Sequence, residues 1–407
     1  MTLASQAFLL LFLPLSLLIY YAALRKPRQK LWFLLLASLA FYALAGWQFL
    51  PLLLGLSFFT YWLARRKRAG WGIALNLLAL AVFKYWNFGA DNLNALATAL
   101  HLPALVPLLG LALPLGISFY VFKHIGYLVE TRNGRYPATD DFLAFAAYSA
   151  FFPQIGAGPI SDFRQTASQF ENLPAKLTPD RLRDGLLRLS IGLVKKVLVA
   201  DTVAAAFGTA SAGEVTGLLP AWTLVIAYAV QLYFDFSGYT DMAIGVACLF
   251  GVDLPPNFDN PYRAVHIGQF WERWHISLST WFRYYLFSPL SRTLLRRLGP
   301  RGKDAAQTLA TLATMTLIGL WHGAAWTFVL WGTYHGLLLT LNTWLQRRGA
   351  GRLPAWLQRT GLVFSVLVGW ALFLRPDASA LGHLFGQMVG LGGLGAGRTR
   401  VGLSSMV

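Results

Sequence analysis

Histidines inside apolar runs are the side chains of this 407-residue sequence best suited to chemistry. His322 lies between Trp321 and Gly323 in LIGLWHGAAWTFVLWGTYHG, Leu317–Gly336. Burial among apolar groups favours the uncharged imidazole, which is a competent general base. The small residues that follow His322 are expected to leave room for a substrate. A structural role as a buried hydrogen-bonding group is equally compatible with this pattern.

Two further histidines lie in comparable surroundings. His275 occurs in FWERWHISLSTWFRYYLF, with Glu272 three residues before it and Ser279 four after it. On one continuous helix these three residues share a face, so that Glu272 could orient the imidazole. The alternative is a structural histidine at the membrane interface whose hydrogen bonds are satisfied there. His335 does not share a helical face with His322, so a structural or supporting role is favoured for His335.

Two aspartates border apolar runs in QLYFDFSGYTDMAIG, namely Asp235 and Asp241. Carboxylates at membrane depth are costly unless they are paired or hydrated. Pairing with a nearby arginine, or capping of a helix broken at Ser237–Gly238, is favoured over a proton path. The partners considered are Arg263, Arg273 and Arg283.

Another polar side chain, Gln154, lies in FFPQIGAGPI, Phe151–Ile160, where prolines and glycines are concentrated. These residues break helices and allow another group to approach the backbone closely. Pocket lining and a kinked, tightly packed helix remain equally good interpretations.

The elements that must position these residues are membrane-spanning helices. Hydrophobic residues make up 56% of the chain and charged residues 13%, against about 25% charged in soluble domains. The uncharged run Leu3–Leu24 is long enough to cross the ~30 Å hydrocarbon core, and it predicts a retained first span with its N-terminus outside. The apolar blocks predict ten or eleven crossings, with short re-entrant pieces around an interior tunnel. The stretch Ile267–Leu290 predicts one amphipathic helix.

The net charge of +17 arises from short basic clusters between apolar blocks. This distribution is typical of cytoplasmic loops, and it argues against nucleic-acid binding because no recognition fold accompanies it. A single cysteine, Cys248, excludes an intrachain disulfide and a zinc-type cysteine cluster. The residues alone leave three functions open: an enzyme, a transporter or flippase that uses Asp235 and Asp241, and a scaffold.

Six sequence blocks across residues 110–345 resemble the membrane-bound O-acyltransferase (MBOAT) family, and within it the bacterial alginate O-acetylation type. They are PLGISFYVFKHIGYLVE, FFPQIGAGPI, YFDFSGYTDMAIG, LPPNFDNPYRA, FWERWHISLSTWFRYYL and LIGLWHGAAWTFVLWGTYHG. The resemblance implies an all-α polytopic protein in which ten or eleven transmembrane helices, with re-entrant and interfacial pieces, form a ring around a central tunnel.

The resemblance also implies a function and a location. An acyl group, acetyl from acetyl-CoA in particular, would pass from the cytoplasm to a hydroxyl acceptor for cell-surface polysaccharide. The protein would lie in the bacterial inner membrane and work with an extracytoplasmic acetyltransferase and exopolysaccharide machinery. No metal, no tightly bound cofactor and no nucleic acid is expected. Ser291–Arg297 replaces the Gly-Gly-Asn-Arg turn of the alginate type, and this difference leaves the acceptor open.

Residue roles and boundaries follow from the same resemblance. His322 is expected to be the general base and His275 the second catalytic position. Substrate binding is expected of Trp321, Trp326, Asn257, Gln154 and Trp274. Structural polar roles are expected of Asp235, Asp241, Glu272 and His335. The expected divisions are N-terminal helices over 1–100, a catalytic core over 101–345, and a C-terminal helix with a glycine-rich tail over 346–407, where relatives continue further.

Overall fold

The computed structural model describes residues 1–207, 215–348, 353–374 and 377–395. Within these ranges the chain is helical, and the one strand-like contact is an isolated antiparallel bridge between Phe258 and Trp274. The all-α prediction is therefore confirmed. Among the described residues, four helical segments are long and apolar enough to cross a membrane: Pro27–Arg65, Ala69–Ala99, Leu218–Leu249 and Ala355–Leu374. A total of ten or eleven crossings stays a prediction, as does the three-part division of the chain.

Packing divides the chain into two compact units. The first contains Met1–Gly192 and Tyr239–Pro256, and the second contains Leu193–Gly238 and Asn257–Val407. The helices of the first unit are α1 (Phe8–Ala23), α2 (Pro27–Gly46), α3 (Leu50–Arg65), α4 (Ala69–Leu80), α5 (Trp86–Ala99), α6 (Ile117–Arg132), α7 (Phe142–Ala150), α8 (Phe152–Ile155), α9 (Phe163–Glu171) and α10 (Pro179–Leu193).

A π-helical stretch, Val194–Ala200, continues α10. The remaining helices are α11 (Asp201–Phe207), α12 (Leu218–Leu249), α13 (Ile267–Arg273), α14 (Ile276–Phe282), α15 (Ser288–Leu298), α16 (Lys303–His322), α17 (Trp326–Arg347), α18 (Ala355–Leu374) and α19 (Ala378–Met388). The unit boundary falls inside α12, between Gly238 and Tyr239.

A buried polar network ties α3, α4, α6 and α7 together in the first unit. His124 contacts Asn76 Oδ1 through Nδ1 at 2.9 Å and Ser149 Oγ through Nε2 at 2.7 Å. The Asn76 amide nitrogen donates to the Gly72 carbonyl at 2.9 Å, so its Oδ1 must be the acceptor and His124 Nδ1 must carry the proton. The same nitrogen donates to Thr60 Oγ1 at 2.8 Å. Buried polar groups of neighbouring helices are thereby satisfied without water.

The C-terminal part of the described chain caps α12. The backbone N–H of Leu218 donates to the Gly393 carbonyl at 3.0 Å, and that of Gly217 donates to Gln387 Oε1 at 2.6 Å. These bonds satisfy donors that a helix N-terminus leaves unpaired. The expected glycine-rich tail is described as far as Gly395, and its continuation from residue 396 lies outside the described residues.

Two expectations about helix continuity are wrong. The helix α12 runs unbroken through Ser237–Gly238. The stretch Ile267–Leu290 is not one amphipathic helix, because Trp274 and His275 separate α13 from α14 with extended and left-handed backbone conformations. Apolar spacing alone did not reveal this break, since both halves keep helical periodicity.

Asp141 fixes the start of α7, because it is both the N-cap of this helix and the partner of an ion pair. Asp141 Oδ1 accepts the Ala144 backbone N–H at 3.1 Å, and the Asp141 carboxylate pairs with Arg28. Burial raises the pKa of the Asp141 carboxyl, but the hydrogen bonds from Arg28 and from the backbone N–H groups of Ala144 and Leu143 outweigh it and hold the pKa below its usual range. A carboxyl whose pKa is lowered by folding stabilises the fold above its unfolded pKa, and this stability is lost on acidification.

Asp141→Ala is therefore expected to lower the free energy of unfolding by about 1 kcal/mol at pH 7, the usual cost of replacing an N-cap aspartate by alanine. The difference from the natural protein should shrink as the pH falls towards the lowered pKa of the Asp141 carboxyl, because protonation removes the charge that the Arg28 ion pair requires. Thermal unfolding in detergent across pH measures this. Asp140→Ala is the matched control, because Asp140 is exposed and pairs with Arg65 at 2.7 Å, but precedes the N-cap residue of α7. An equal loss in both variants would contradict the capping role.

Candidate active site

His322 is the last residue of α16 in the second unit, at the tip of a tight hairpin with α17. Gly319 and Gly332 allow the two helices to touch, because a Cβ on Gly319 would overlap the Phe328 carbonyl oxygen and one on Gly332 would overlap that of Met315. The room expected beside Gly323 is absent, since the Phe328 ring fills the space that a Cβ would need. That glycine therefore serves packing and does not make space for a substrate.

The His322 imidazole packs against aromatic rings of α16, α17 and α18. Its centroid lies 4.8 Å from that of Trp321, 5.2 Å from that of Trp331 and 5.1 Å from that of Phe373, each edge to face. His322 remains half-buried, whereas His275 and His335 are buried. Within this cluster, His322 is therefore the histidine that keeps an accessible surface.

Trp331 on α17 joins His322 to the other rings. It contacts His335 at 4.9 Å, Trp271 at 5.7 Å and Trp370 at 6.1 Å between ring centroids. His335 lies one helical turn after Trp331, with its ring 5.2 Å from that of Trp271. His335 thus packs on the same indole as His322, and its supporting role stays a prediction.

His275 lies in the break between α13 and α14 and has the left-handed backbone angles φ 44° and ψ 55°. Its ring stands edge to face on Phe236, with 4.6 Å between centroids, and lies 6.2 Å from Trp321. Trp321 therefore contacts both His275 and His322. Left-handed conformations of residues other than glycine cost energy and are concentrated at functional sites.

Glu272 does not orient His275, contrary to one of the sequence interpretations. It is exposed on α13, and His275 is outside that helix. Neither ring nitrogen of His275 has a hydrogen-bond partner among the described residues. The i, i+3 argument failed because it assumed a continuous helix.

Several buried polar atoms of this cluster lack hydrogen-bond partners within the part of the chain that the structure describes. They are Asn257 Nδ2, Trp271 Nε1, Trp331 Nε1 and both ring nitrogens of His275 and of His335. Buried polar groups are normally paired, so a concentration of exceptions needs an explanation. A site that receives polar atoms of a substrate supplies one.

The expected substrate-binding residues take different positions. Trp321 is buried between the two histidines, and Trp274 stacks on Phe270 at 5.5 Å and contacts Trp370 at 4.9 Å. Trp326 begins α17 and is 59% exposed, so its indole is accessible at the surface of the second unit.

Gln154 belongs to the first unit, and both ends of its amide are occupied. Its Nε2 donates to the Pro159 carbonyl at 2.7 Å and to Ser161 Oγ at 3.0 Å, while its Oε1 accepts from Lys123 Nζ at 3.2 Å. In this conformation the side chain holds the proline- and glycine-rich loop together. Substrate binding by Gln154 stays a prediction.

Asp235 and Asp241 are both ion-paired, as favoured, but with other partners than those considered. Asp235 Oδ1 lies 2.7 Å from Lys196 Nζ, and Asp241 Oδ1 lies 2.7 Å from Arg188 Nε. Arg188 lies in α10 and Lys196 in the π-helical stretch that continues it, and only the tertiary fold brings them to α12. No group of three or more His, Cys, Asp or Glu residues placed to hold a metal ion occurs among the described residues.

Sequence reasoning overlooked Trp331, the indole that joins two histidines. The spacing of Trp331 and His335, one turn apart on an apolar helix, was the available signal. Phe236 and Phe373 were also overlooked, and no sequence signal distinguishes them from ordinary apolar residues.

The apolar helices of membrane-spanning length are those of a multi-pass membrane protein. Its buried cluster of imidazole and indole rings forms a candidate polar site. Residues 130–374 match the membrane-bound O-acyltransferase family. The chain belongs to this family, and it is an O-acyltransferase.

Curated relatives specify different acceptors. A probable alginate O-acetylase of Azotobacter vinelandii is 39% identical over 96% of this chain and 79% of its own length. A peptidoglycan O-acetyltransferase of Helicobacter pylori is 35% identical over 95% of this chain and 79% of its own length. A teichoic acid D-alanyltransferase of Streptococcus thermophilus is 31% identical over 58% of each chain. The resemblance stated from the sequence blocks is confirmed.

Proposed function

We propose that this chain transfers an acetyl group from a cytoplasmic thioester, acetyl-CoA, to a hydroxyl acceptor used in O-acetylation of a cell-surface polysaccharide. The observation that carries the proposal is the half-buried His322 beside a cluster of buried rings. In that cluster the ring nitrogens of His275, His335, Trp271 and Trp331 lack hydrogen-bond partners among the described residues. The names of the relatives, which include alginate and peptidoglycan O-acetylation, support acetyl as the group and a glycan as its destination.

His322 acts as the general base in this proposal. Its neutral imidazole takes the proton of the acceptor hydroxyl while the hydroxyl oxygen attacks the thioester carbonyl carbon. The tetrahedral intermediate then expels the thiolate as the C–S bond breaks, and the imidazolium returns the proton to sulfur. Ester and free thiol are the products, and no net proton is consumed. General-base assistance of this kind contributes roughly 10²–10⁴-fold.

The neighbouring groups supply orientation and charge stabilisation. Trp321 separates His275 from His322, so that His275 forms the second catalytic position one ring away. Indole N–H groups are donors only and suit the oxygen that becomes negative during attack. Trp274 and Trp321 line the substrate path in this proposal, and Trp326 lies at its surface.

The location and partners form part of the same proposal. The helices surround a tunnel in the bacterial inner membrane through which the donor reaches His322 from the cytoplasm. An extracytoplasmic acetyltransferase with the exopolysaccharide machinery receives the acetyl group. The transporter alternative is not proposed, because both of its aspartates are engaged in ion pairs.

Isotope-labelled acetyl-CoA added to membranes that contain this protein, followed by mass spectrometry of the surface glycans, tests the function. We expect labelled O-acetyl esters with the protein and none with membranes that lack it. Labelled D-alanyl esters from a D-alanyl donor, with no acetyl transfer, would overturn the proposal.

A further inference from the structure

Asn257 forms a hydrogen-bonded clamp across the break between α13 and α14, in which His275 lies. It is fully buried, its backbone carbonyl accepts the Ile276 N–H at 2.9 Å, and its side-chain Oδ1 accepts the Ser277 N–H at 3.1 Å. The next residue, Phe258, bridges to Trp274 on the other side of His275. Asn257 thus replaces the missing cap at the start of α14, for which the His275 side chain makes no capping bond.

The orientation of the Asn257 amide follows from this contact. A backbone N–H can only donate, so the amide atom that faces Ser277 must be the oxygen. The remaining atom, Nδ2, is therefore a hydrogen-bond donor. It is buried and has no acceptor among the described residues.

The chemistry of Nδ2 decides what it can bind. An NH₂ group cannot accept the proton of an acceptor hydroxyl, but it can donate to a carbonyl oxygen or an oxyanion. The clamp places Asn257 directly beside His275, and the rings of His275, Trp321 and His322 follow one another at 6.2 and 4.8 Å between centroids.

We infer that Asn257 recognises the carbonyl oxygen of the acyl group, donating through Nδ2 to the oxyanion that forms on attack while its Oδ1 holds the His275 segment. The inference rests on the proposed acyl transfer and assigns to Asn257 a donor for its oxyanion, in addition to the indole N–H groups. The same amide therefore performs a structural and a catalytic task through its two ends.

The two ends can be separated by substitution. Asn257→Asp keeps an oxygen for the Ser277 N–H and removes the donor, whereas Asn257→Ala removes both. Loss of one oxyanion donor typically lowers kcat by about 10²–10³-fold. We expect this loss in Asn257→Asp, with KM for acetyl-CoA changed less than about threefold, because the bond strengthens mainly in the transition state. Asn257→Ala should in addition unfold at a lower temperature.

Asn76→Asp is the matched control for a carboxylate at a buried asparagine. Asn76 is fully buried in the polar network of the first unit, and its Nδ2 donates to Thr60 and Gly72. This variant should lose stability, while the kcat of its folded fraction stays within about twofold.

Infrared spectroscopy of bound acetyl-CoA carrying a ¹³C carbonyl gives a readout that a structural role would not move. The carbonyl stretch should lie at lower frequency in the natural protein than in Asn257→Asp. Unchanged kcat and an unchanged stretch in Asn257→Asp would overturn the inference and leave the proposed function standing if His322→Ala is inactive. An active His322→Ala variant would overturn the proposed function itself.

Discussion

His322→Ala is expected to lower kcat for acetyl transfer by at least about 100-fold, because it removes the general base. His322→Gln should be equally inactive, since an amide can donate and accept hydrogen bonds but cannot take a proton at neutral pH. The imidazole is half-buried and forms three edge-to-face ring contacts, so its loss should leave the α16–α17 hairpin assembled by its glycine contacts. Release of free thiol from acetyl-CoA in detergent, per folded protein, is the measurement.

His383→Ala is the matched control. His383 is also half-buried in the second unit, and its Nε2 contacts the Val215 carbonyl at 3.0 Å, where it joins α19 to the chain before α12. Its removal should leave kcat within about twofold, as for other residues outside the site. If His322→Ala and His383→Ala had similar activity, the assignment of the general base would be wrong.

Substitution of His275 is expected to have the second large effect on kcat. At this position, activity and stability should respond differently to alanine and to glycine. His275→Ala and His275→Gly should both lower kcat by about 10²-fold or more, because each removes the ring beside Trp321. Glycine at this position should nevertheless give the more stable variant, by about 1 kcal/mol in the free energy of unfolding. The reason is the left-handed backbone at φ 44°, which an alanine Cβ disfavours and glycine adopts freely.

The same pair of substitutions at His335 should reverse the order of stability. His335 is buried inside α17 with helical geometry, and in a helix interior glycine is about 1 kcal/mol less favourable than alanine. Thermal unfolding of the four variants in detergent compares the two positions. If His275→Ala were more stable than His275→Gly, the residue at position 275 would not have the left-handed backbone conformation.

Sequence patterns predicted the structure correctly where the feature that they indicate lies within one continuous segment of the chain. The run around His322 predicted an apolar, helical setting for this histidine, because the apolar residues and the Trp-His-Gly sequence lie on one segment. The prediction that Glu272 orients His275 failed for the opposite reason. Two short helices with a left-handed residue between them keep the same apolar spacing as one long helix, and the clamp that enforces the break comes from Asn257, outside the helical stretch.

Charge pairing shows a similar limit. The cost of a carboxylate in an apolar segment correctly indicated that Asp235 and Asp241 would be paired. Their partners, Lys196 and Arg188, precede them by more than 35 residues, whereas the arginines expected as partners, Arg263, Arg273 and Arg283, all follow them. A sequence states that a charge must be neutralised, but the packing of helices determines by which residue.

The amino-acid sequence by itself determined the all-α membrane class, the family and the histidine at the end of α16, because composition, helical periodicity and contiguous motifs are properties of neighbouring residues. The tertiary structure decided that Trp331 joins His322 to His335, that His275 occupies a strained break, and that the Asn257 amide keeps a donor available. These features depend on contacts between segments distant in sequence, and such contacts form only when the helices pack.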